Sequence, residues 1–238
     1  PRLFIYSKKN PITIAPAVDR YNLPIDSILD VWNKEKYKVE YRQQDQLGYE
    51  QALYSLIDYF KENNTEYMLL EYCKGSSLKR YILENELTEE EILGIFLKII
   101  KALKKIHGEN VLHRDLKPSN IIVDVSNNIK IIDFGSSKNL SEENRGCLKW
   151  TPGYSPLEMY SQKAETDKKT DVYSLCALLY FMLNKYRPMD SLERFYYPEL
   201  IYKDYVSKKI RRVIEKGMNM EISNRYGDIE EMEKELIN

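Results

Sequence analysis

The sequence predicts an α+β fold in which a small strand-rich part precedes a large, mainly helical part. The first 73 residues carry short runs of alternating apolar and aromatic residues, bounded by Lys, Asn and Pro, which is a pattern typical of strands. From about residue 74 onward, apolar residues recur at the three- and four-residue spacing of helices. We therefore expect two coupled parts, 1–73 and 74–238, within one domain.

The strands of the first part are predicted from four runs. They are RLFIYS at 2–7, PITIAPAV at 11–18, YSLIDYF at 54–60 and EYMLLEY at 66–72. Between the second and the third run, residues 28–53 have apolar side chains at mixed helical spacing, which favours one helix in this part.

The second part contains the clearest helix signal of the chain. Thr88 occupies an N-cap position and Glu91 the capping-box position, ahead of a broad apolar stripe that ends at Gly108. A hairpin should follow, with Asn127 and Asn128 in its turn. We expect further helices at 170–184, 206–218 and 228–237.

Composition narrows the possible functions. A net charge of -1, from 36 basic and 37 acidic residues, argues against a nucleic-acid partner and against a polybasic membrane anchor. No apolar run reaches the roughly 20 residues that a membrane-spanning helix needs, so we expect no span in this chain. Cys73, Cys147 and Cys176 are isolated, which supports neither a disulfide framework nor a zinc site and favours a reducing compartment.

One polar stretch lies between two apolar runs. In VLHRDLKPSNIIVD, at 111–124, Lys117 and Asn120 follow Asp115 by two and five residues. The hairpin brings the loop before its first strand close to the residue after its second, so Asp115, Asn120 and Asp133 should converge. Oxygen ligands of this kind suit Mg²⁺, which proteins usually share with phosphate groups.

These motifs carry a family resemblance. HRDLKPSN at 113–120, followed by DFG at 133–135, resembles the catalytic loop and the metal-binding loop of the eukaryotic-type Ser/Thr protein kinase family. TPGYSPLE at 151–158 is similar to the end of a kinase activation segment, with Pro156 and Leu157 in place of the usual Ala-Pro pair. The amino-acid sequences of these motifs resemble those of bacterial members of the family.

Two long-range contacts are implied by the resemblance. Asp171, in a predicted central helix, would hydrogen-bond the backbone at His113 and Arg114. Arg225 would pair with Glu158 of the activation segment. Both contacts would attach functional segments to the helical core.

The resemblance also implies a bilobal kinase fold that uses ATP and Mg²⁺ to phosphorylate a protein substrate. Asp115 would act as the catalytic base, Lys117 would neutralise the transferred phosphate, and the hydroxyl of Thr151 would bond both. Asn120 and Asp133 would hold the metal ion. Residues 74–238 would form the large lobe.

The part of the sequence that would bind the nucleotide, within residues 1–73, departs from the family pattern. Leu70 would be the gatekeeper beside adenine, with Glu71 and Cys73 in the hinge. A Gly-rich loop and the usual strand Lys are not seen, so Arg20 is the candidate replacement for the Lys and Glu40 the candidate helix Glu. We interpret residues 1–73 as a reduced small lobe, which leaves room for a partner that completes it.

Three functions remain open from the sequence. The first is an active Ser/Thr protein kinase, favoured by the joint presence of Asp115, Lys117, Asn120 and Asp133. The second is a pseudokinase that serves as a binding or scaffolding module, favoured by the missing Lys. The third is a kinase-fold enzyme with a small-molecule acceptor or a transferred group other than phosphate. We expect a cytoplasmic location, either in a bacterium or, for a secreted effector, in a host cell.

Overall fold

The computed structural model describes residues 4–7, 11–13, 56–62, 65–70, 75–133, 136–140, 150–161 and 165–237. The chain divides into two compact units, Pro1–Lys74 and Gly75–Asn238. The helix expected at 28–53 lies outside the described residues.

Four strands of the first unit form one antiparallel sheet. They are β1 (Phe4–Ser7), β2 (Pro11–Thr13), β3 (Leu56–Glu62) and β4 (Thr65–Leu70), in the order β2-β1-β4-β3. Leu70, at the end of β4, lies opposite Phe4 of β1 and Leu56 of β3. All four strand predictions are confirmed, with ends that differ from the expected ones.

The second unit contains short strands around a hairpin. They are β5 (Gly75–Ser77), β6 (Val111–Leu112), β7 (Ile121–Asp124), β8 (Ile129–Ile131) and β9 (Lys138–Asn139), with β7 between β5 and β8, and β6 paired with β9. Asp124 Oδ1 accepts hydrogen bonds from the backbone N of Ser126 at 2.7 Å and of Asn128 at 2.8 Å. Asn127 has a left-handed backbone with φ 57°. The predicted hairpin and its asparagine turn are confirmed.

The longest elements of the second unit are helices. Those that the structure describes are α1 (Leu78–Glu84), α2 (Glu89–Gly108), α3 (Lys168–Asn184), α4 (Ser191–Arg194), α5 (Lys208–Gly217) and α6 (Ile229–Ile237). The three helices expected after residue 170 are confirmed to within two residues at each end, whereas α4 was not predicted. The fold class is confirmed as α+β. Within the described ranges, no helix has both the length and the apolar character needed to cross a bilayer.

The predicted capping box of α2 forms as expected. The backbone N of Glu91 donates to Thr88 Oγ1 at 3.2 Å, and Glu91 Oε2 accepts from the backbone N of Thr88 at 2.8 Å. Three glutamates in the first turn complement the positive end of the helix dipole. The apolar face of α2 is buried, with Phe96 and Leu103 inaccessible to solvent.

The centre of the second unit is α3. Its residues from Thr170 to Asn184 are all buried, as expected for a helix that other elements surround. Helices α2, α5 and α6 pack against it. Gly217 of α5 allows a close approach, because a Cβ there would overlap the Cys176 sulfur. Side chains at the start of α3 are therefore presented by a rigid element.

Candidate functional site

The loop between β6 and β7 is anchored by Asp171, in the first turn of α3. Asp171 Oδ2 accepts from the backbone N of His113 and Oδ1 from the backbone N of Arg114, both at 2.8 Å. Asp171 is fully buried, and Arg114 has φ 62°, a conformation that L-residues rarely adopt. The predicted contact of Asp171 with this loop is confirmed.

A second buried side chain supports Asp171. His107 Nε2 lies 2.8 Å from Asp171 Oδ2, and both residues are almost inaccessible. Burial by itself would raise the pKa of Asp171, but the hydrogen bonds from His107 and from the backbone amide of His113 hold that pKa below its ordinary value. Sequence patterns place His107 only at the end of α2, so they missed this contact.

His113 belongs to the scaffold of the loop. Its Nε2 lies 3.2 Å from the Ile132 carbonyl oxygen, and its Nδ1 accepts from the backbone N of Asp115 at 3.3 Å. This pattern requires a neutral ring with its proton on Nε2. Burial lowers the pKa of His113 and outweighs the opposing effect of Asp171, which agrees with a neutral ring.

Asp115 is the centre of a side-chain network and is 5% exposed. Its Oδ1 accepts from the Thr151 hydroxyl at 2.7 Å. Its Oδ2 accepts from Lys117 Nζ at 2.7 Å and from Asn120 Nδ2 at 3.1 Å. Lys117 Nζ also lies 3.3 Å from Thr151 Oγ1. The structure thus brings together four residues that the sequence singled out, one of them 36 positions away from Asp115.

Asp115 also orients the side-chain amide of Asn120. Asn120 Nδ2 donates to the Asp115 carbonyl oxygen at 2.9 Å as well as to its carboxylate. Both amide hydrogens are therefore used. Among the described residues, Asn120 Oδ1 has only a distant contact, the Ser119 hydroxyl at 3.5 Å, so this oxygen is available to a ligand.

Asp133 follows β8, close in the backbone to Asn120. The backbone N of Ile132 donates to the Asn120 carbonyl oxygen at 2.9 Å, and Ile121 lies opposite Ile131. Asp133 is exposed and has a left-handed backbone with φ 63°. In the part of the chain that the structure describes, no group of three or more His, Cys, Asp or Glu residues is arranged to hold a metal ion.

The side chain of Arg114 connects the loop to the segment after Asp133. Arg114 is 1% exposed, the Nε atom donates to the Ser136 carbonyl oxygen at 2.6 Å, and Nη2 donates to that of Ser137 at 3.3 Å. These bonds fix the backbone that leaves the hairpin.

Glu158 and Arg225 form the predicted pair. Arg225 Nη1 lies 2.6 Å from Glu158 Oε1, and Nη2 lies 3.0 Å from Oε2. The Arg225 side chain is fully buried, and that of Glu158 is 13% exposed. Arg225 Nε donates to the Asn219 carbonyl oxygen at 2.7 Å, and the Thr170 hydroxyl donates to Glu158 at 3.2 Å. The bidentate geometry confirms the prediction and holds the segment downstream of Thr151.

The predicted nucleotide contacts of the first unit are not described by the structure. Arg20, Glu40, Glu71 and Cys73 lie outside the described residues. Leu70 is the last residue of β4, and the structure describes its backbone. The assignments of these five residues stay predictions.

Several known proteins resemble this chain in sequence. The family described as the protein kinase domain matches residues 28–237. The chain is 39% identical over 132 residues to the maternal embryonic leucine zipper kinase of Danio rerio, covering 52% of this chain and 19% of that protein. It is 31% identical over 182 residues to the probable serine/threonine-protein kinase PknB of Lactococcus lactis, covering 70% of this chain and 29% of that protein. It is 30% identical over 184 residues to the serine/threonine-protein kinase PLK4 of Danio rerio, covering 75% and 18%. The chain therefore spans less than a third of each of these relatives.

Proposed function

This chain belongs to the protein kinase family, and from that premise we propose that it transfers the γ-phosphate of ATP to serine or threonine hydroxyls of a protein substrate. The observation that carries the proposal is the network in which Thr151, Lys117 and Asn120 surround the carboxylate of Asp115. The relatives named as serine/threonine kinases support the choice of acceptor.

The carboxylate of Asp115 has room for one more donor. A carboxylate offers about four lone-pair positions on its two oxygens. Three of these accept from Thr151, Lys117 and Asn120. The remaining position suits a substrate hydroxyl, whose proton Asp115 would accept while the hydroxyl oxygen bonds to the γ-phosphorus of ATP. The bond from that phosphorus to the β–γ bridging oxygen would break, and ADP would leave.

Lys117 would supply positive charge to the transferred group. Its ammonium has three hydrogens, and the contacts with Asp115 and Thr151 use two of them. The third would bond an oxygen of the phosphoryl group, where negative charge must be stabilised during transfer. The Thr151 hydroxyl donates to Asp115 and accepts from Lys117, so it fixes the positions of the two charged groups relative to each other.

The donor set near the hairpin fits a magnesium ion. Asn120 Oδ1 and the carboxylate of Asp133 are the ligands we assign to it. Mg²⁺ usually takes one or two protein oxygens beside water and substrate phosphates, so it does not need a cluster of three carboxylates. When bound with ATP, the ion neutralises charge on the phosphate oxygens. Because Asp115 orients Asn120, the loop would hold a metal ligand next to the catalytic base.

The remaining parts of the proposal rest on family resemblance. Leu70, Glu71 and Cys73 would contact adenine, and Arg20 and Glu40 would take the place of the usual Lys–Glu pair. We also propose a cytoplasmic location, bacterial or host, and a partner that completes the first unit. The pseudokinase alternative differs from this proposal in one measurable property, which is turnover of ATP.

Two substitutions separate phosphoryl transfer from nucleotide binding. Asp115→Asn should lower transfer of labelled γ-phosphate by about 10²- to 10⁴-fold, the usual size of a general-base contribution. It should leave unchanged the increase in melting temperature that ATP produces in the presence of Mg²⁺. Asp133→Asn should remove this increase, because Asp133 would hold the ion that offsets the negative charge of the phosphates.

The matched control is Asp204→Asn, the same chemical change at an exposed aspartate outside the network. The chain itself and a generic basic protein serve as acceptors, and ATP hydrolysis to water is followed in parallel, so a missing acceptor is not mistaken for inactivity. A parent chain with neither ATP-dependent stabilisation nor turnover would contradict the kinase proposal. Stabilisation without turnover would favour the binding module.

A further inference from the structure

Exposed apolar side chains are concentrated in the segment that follows α3. Thirteen large hydrophobic residues are exposed among the described residues, and eight of them lie between positions 186 and 205. Tyr196 is 76% exposed and Tyr197 is 70% exposed. Single exposed apolar residues are ordinary in folded proteins, whereas a contiguous group marks an interaction surface.

Part of this segment forms an open groove of about 530 Å³, which we call the α4 groove. Its lining residues are Met189, Leu192, Glu193, Tyr196 and Tyr197. The side chains of these five residues are apolar except for two tyrosine hydroxyls and the carboxylate of Glu193. Among the residues that the structure describes, this carboxylate has no side-chain partner. The α4 groove therefore combines an apolar surface with one unpaired negative charge.

The α4 groove is linked to the segment that carries Thr151. Asp190, the N-cap of α4, accepts from the Tyr160 hydroxyl at 2.6 Å. The Ser191 hydroxyl donates to the Ser155 carbonyl oxygen at 2.9 Å, and the Ser155 hydroxyl accepts from the backbone N of Thr151 at 2.8 Å. A molecule bound in the groove would thus be held at a fixed distance from the proposed acceptor site.

We propose that the α4 groove docks an exposed segment of the protein substrate in which a large apolar side chain stands next to Lys or Arg. The apolar side chain would cover Leu192 and Tyr196, and the cation would pair with Glu193. Tyrosine and methionine are enriched at protein interfaces, and a charge pair at the edge of an apolar contact is stronger than the same pair in bulk water. The unpaired carboxylate selects a cationic partner and rejects an acidic one.

The substrate is the occupant we assign because of the link to Thr151. This inference rests on the proposed kinase function, which names a protein substrate. A second copy of this chain would also bury apolar surface and is the competing occupant.

The first experiment measures peptide binding without nucleotide. A library of labelled peptides joins each large apolar residue to either Arg or Glu in an otherwise Gly/Ser sequence, and fluorescence anisotropy reports the affinity. The parent should prefer the Arg-containing peptides. Leu192→Asp should weaken their binding by about tenfold or more, as expected for a central interface residue. Glu193→Arg should reverse the preference toward the Glu-containing peptides.

Val125→Asp is the matched control, since Val125 is a 75% exposed apolar residue that does not line the α4 groove. It should bind the peptides as the parent does. Equal binding of Arg and Glu peptides by the parent, or an unchanged preference in Glu193→Arg, would overturn the inference. A concentration-dependent dimer in sedimentation, abolished by Leu192→Asp, would also overturn it in favour of a second copy of the chain.

The second experiment connects docking to phosphoryl transfer. The selected peptide is joined by a flexible linker to an acceptor serine, and KM and kcat are measured. Leu192→Asp should raise KM by about tenfold or more with kcat and ATP hydrolysis to water unchanged. An unchanged KM would overturn the substrate assignment. Peptide selection by a parent that turns over no ATP would support the docking site and contradict only the proposed kinase function.

Discussion

The network around Asp115 and the Glu158–Arg225 pair use similar chemical groups but differ in the burial of the cation and in how fully its hydrogen bonds are used. The Arg225 side chain is fully buried, and its three guanidinium nitrogens donate to Glu158 and to the Asn219 carbonyl oxygen. Lys117 in the network is 24% exposed and contacts two partners with an ammonium that can serve three.

This difference separates structural from chemical roles. Breaking a saturated buried pair destabilises the fold, because loss of one partner leaves a charge away from water. A network with an unused donor and an unused acceptor position can receive a substrate without losing its own bonds. Substitutions in the Glu158–Arg225 pair should therefore change the free energy of unfolding, and substitutions in the Asp115 network should change the rate of phosphoryl transfer.

The largest effect on stability is expected for Arg225→Ala. It should lower the free energy of unfolding by on the order of 3 to 5 kcal/mol, because the Glu158 carboxylate, 13% exposed, would lose its bidentate partner. Urea unfolding followed by circular dichroism measures this change. A midpoint equal to that of the parent would show that the pair does not hold the second unit together.

Thr151→Ala should have a smaller effect, and on rate rather than on stability. A hydrogen bond to a charged group contributes about 1.5 to 3 kcal/mol, so transfer should slow by about tenfold to a hundredfold if Asp115 loses this donor in the transition state. Thr151→Ser keeps a hydroxyl and should recover most of the rate. A serine variant as slow as the alanine variant would contradict the role of the hydroxyl.

The two regions also differ in what the sequence could predict. The motif residues Asp115, Lys117 and Asn120 are close in the chain, so a local loop explains their convergence. The Glu158–Arg225 pair was expected only from family resemblance, since spacing does not relate residues so distant in sequence. The contact of His107 with Asp171 was missed because it depends on how α2 packs against α3.

Short elements and the α4 groove were harder to predict for another reason. The four residues of α4 are too few to show a helical period, so nothing in the pattern predicts this helix. Leu192 and Tyr196 would be assigned to a core by hydrophobicity, yet both are exposed. In the first unit, Arg20 and Glu40 remain predictions from sequence.

Acidification should weaken the loop scaffold by a moderate amount through His113. Because burial lowers the pKa of His113 in the folded state, the unfolded chain binds a proton more readily, and stability should fall as the pH drops below about 6.5. One such group contributes at most about 1.4 kcal/mol per pH unit. His113→Asn keeps a neutral acceptor near the Asp115 backbone N. In this variant, the free energy of unfolding should depend less on pH below about 6.5. The same pH dependence of the free energy of unfolding in parent and variant would contradict the assignment of this effect to His113.

The smallest effect is expected for Arg80→Ala, which tests whether burial or pairing makes Arg225 important. Arg80 Nε lies 2.8 Å and 2.9 Å from the two carboxylate oxygens of Glu84, but the side chains are 69% and 57% exposed. Water therefore replaces the lost partner, and the free energy of unfolding should fall by only about 0.3 to 0.5 kcal/mol. At about 1 M salt, where the screening length is about 3 Å, the difference from the parent should shrink further. A loss as large as that of Arg225→Ala would mean that ion pairing, and not burial, accounts for the contrast between the two arginines.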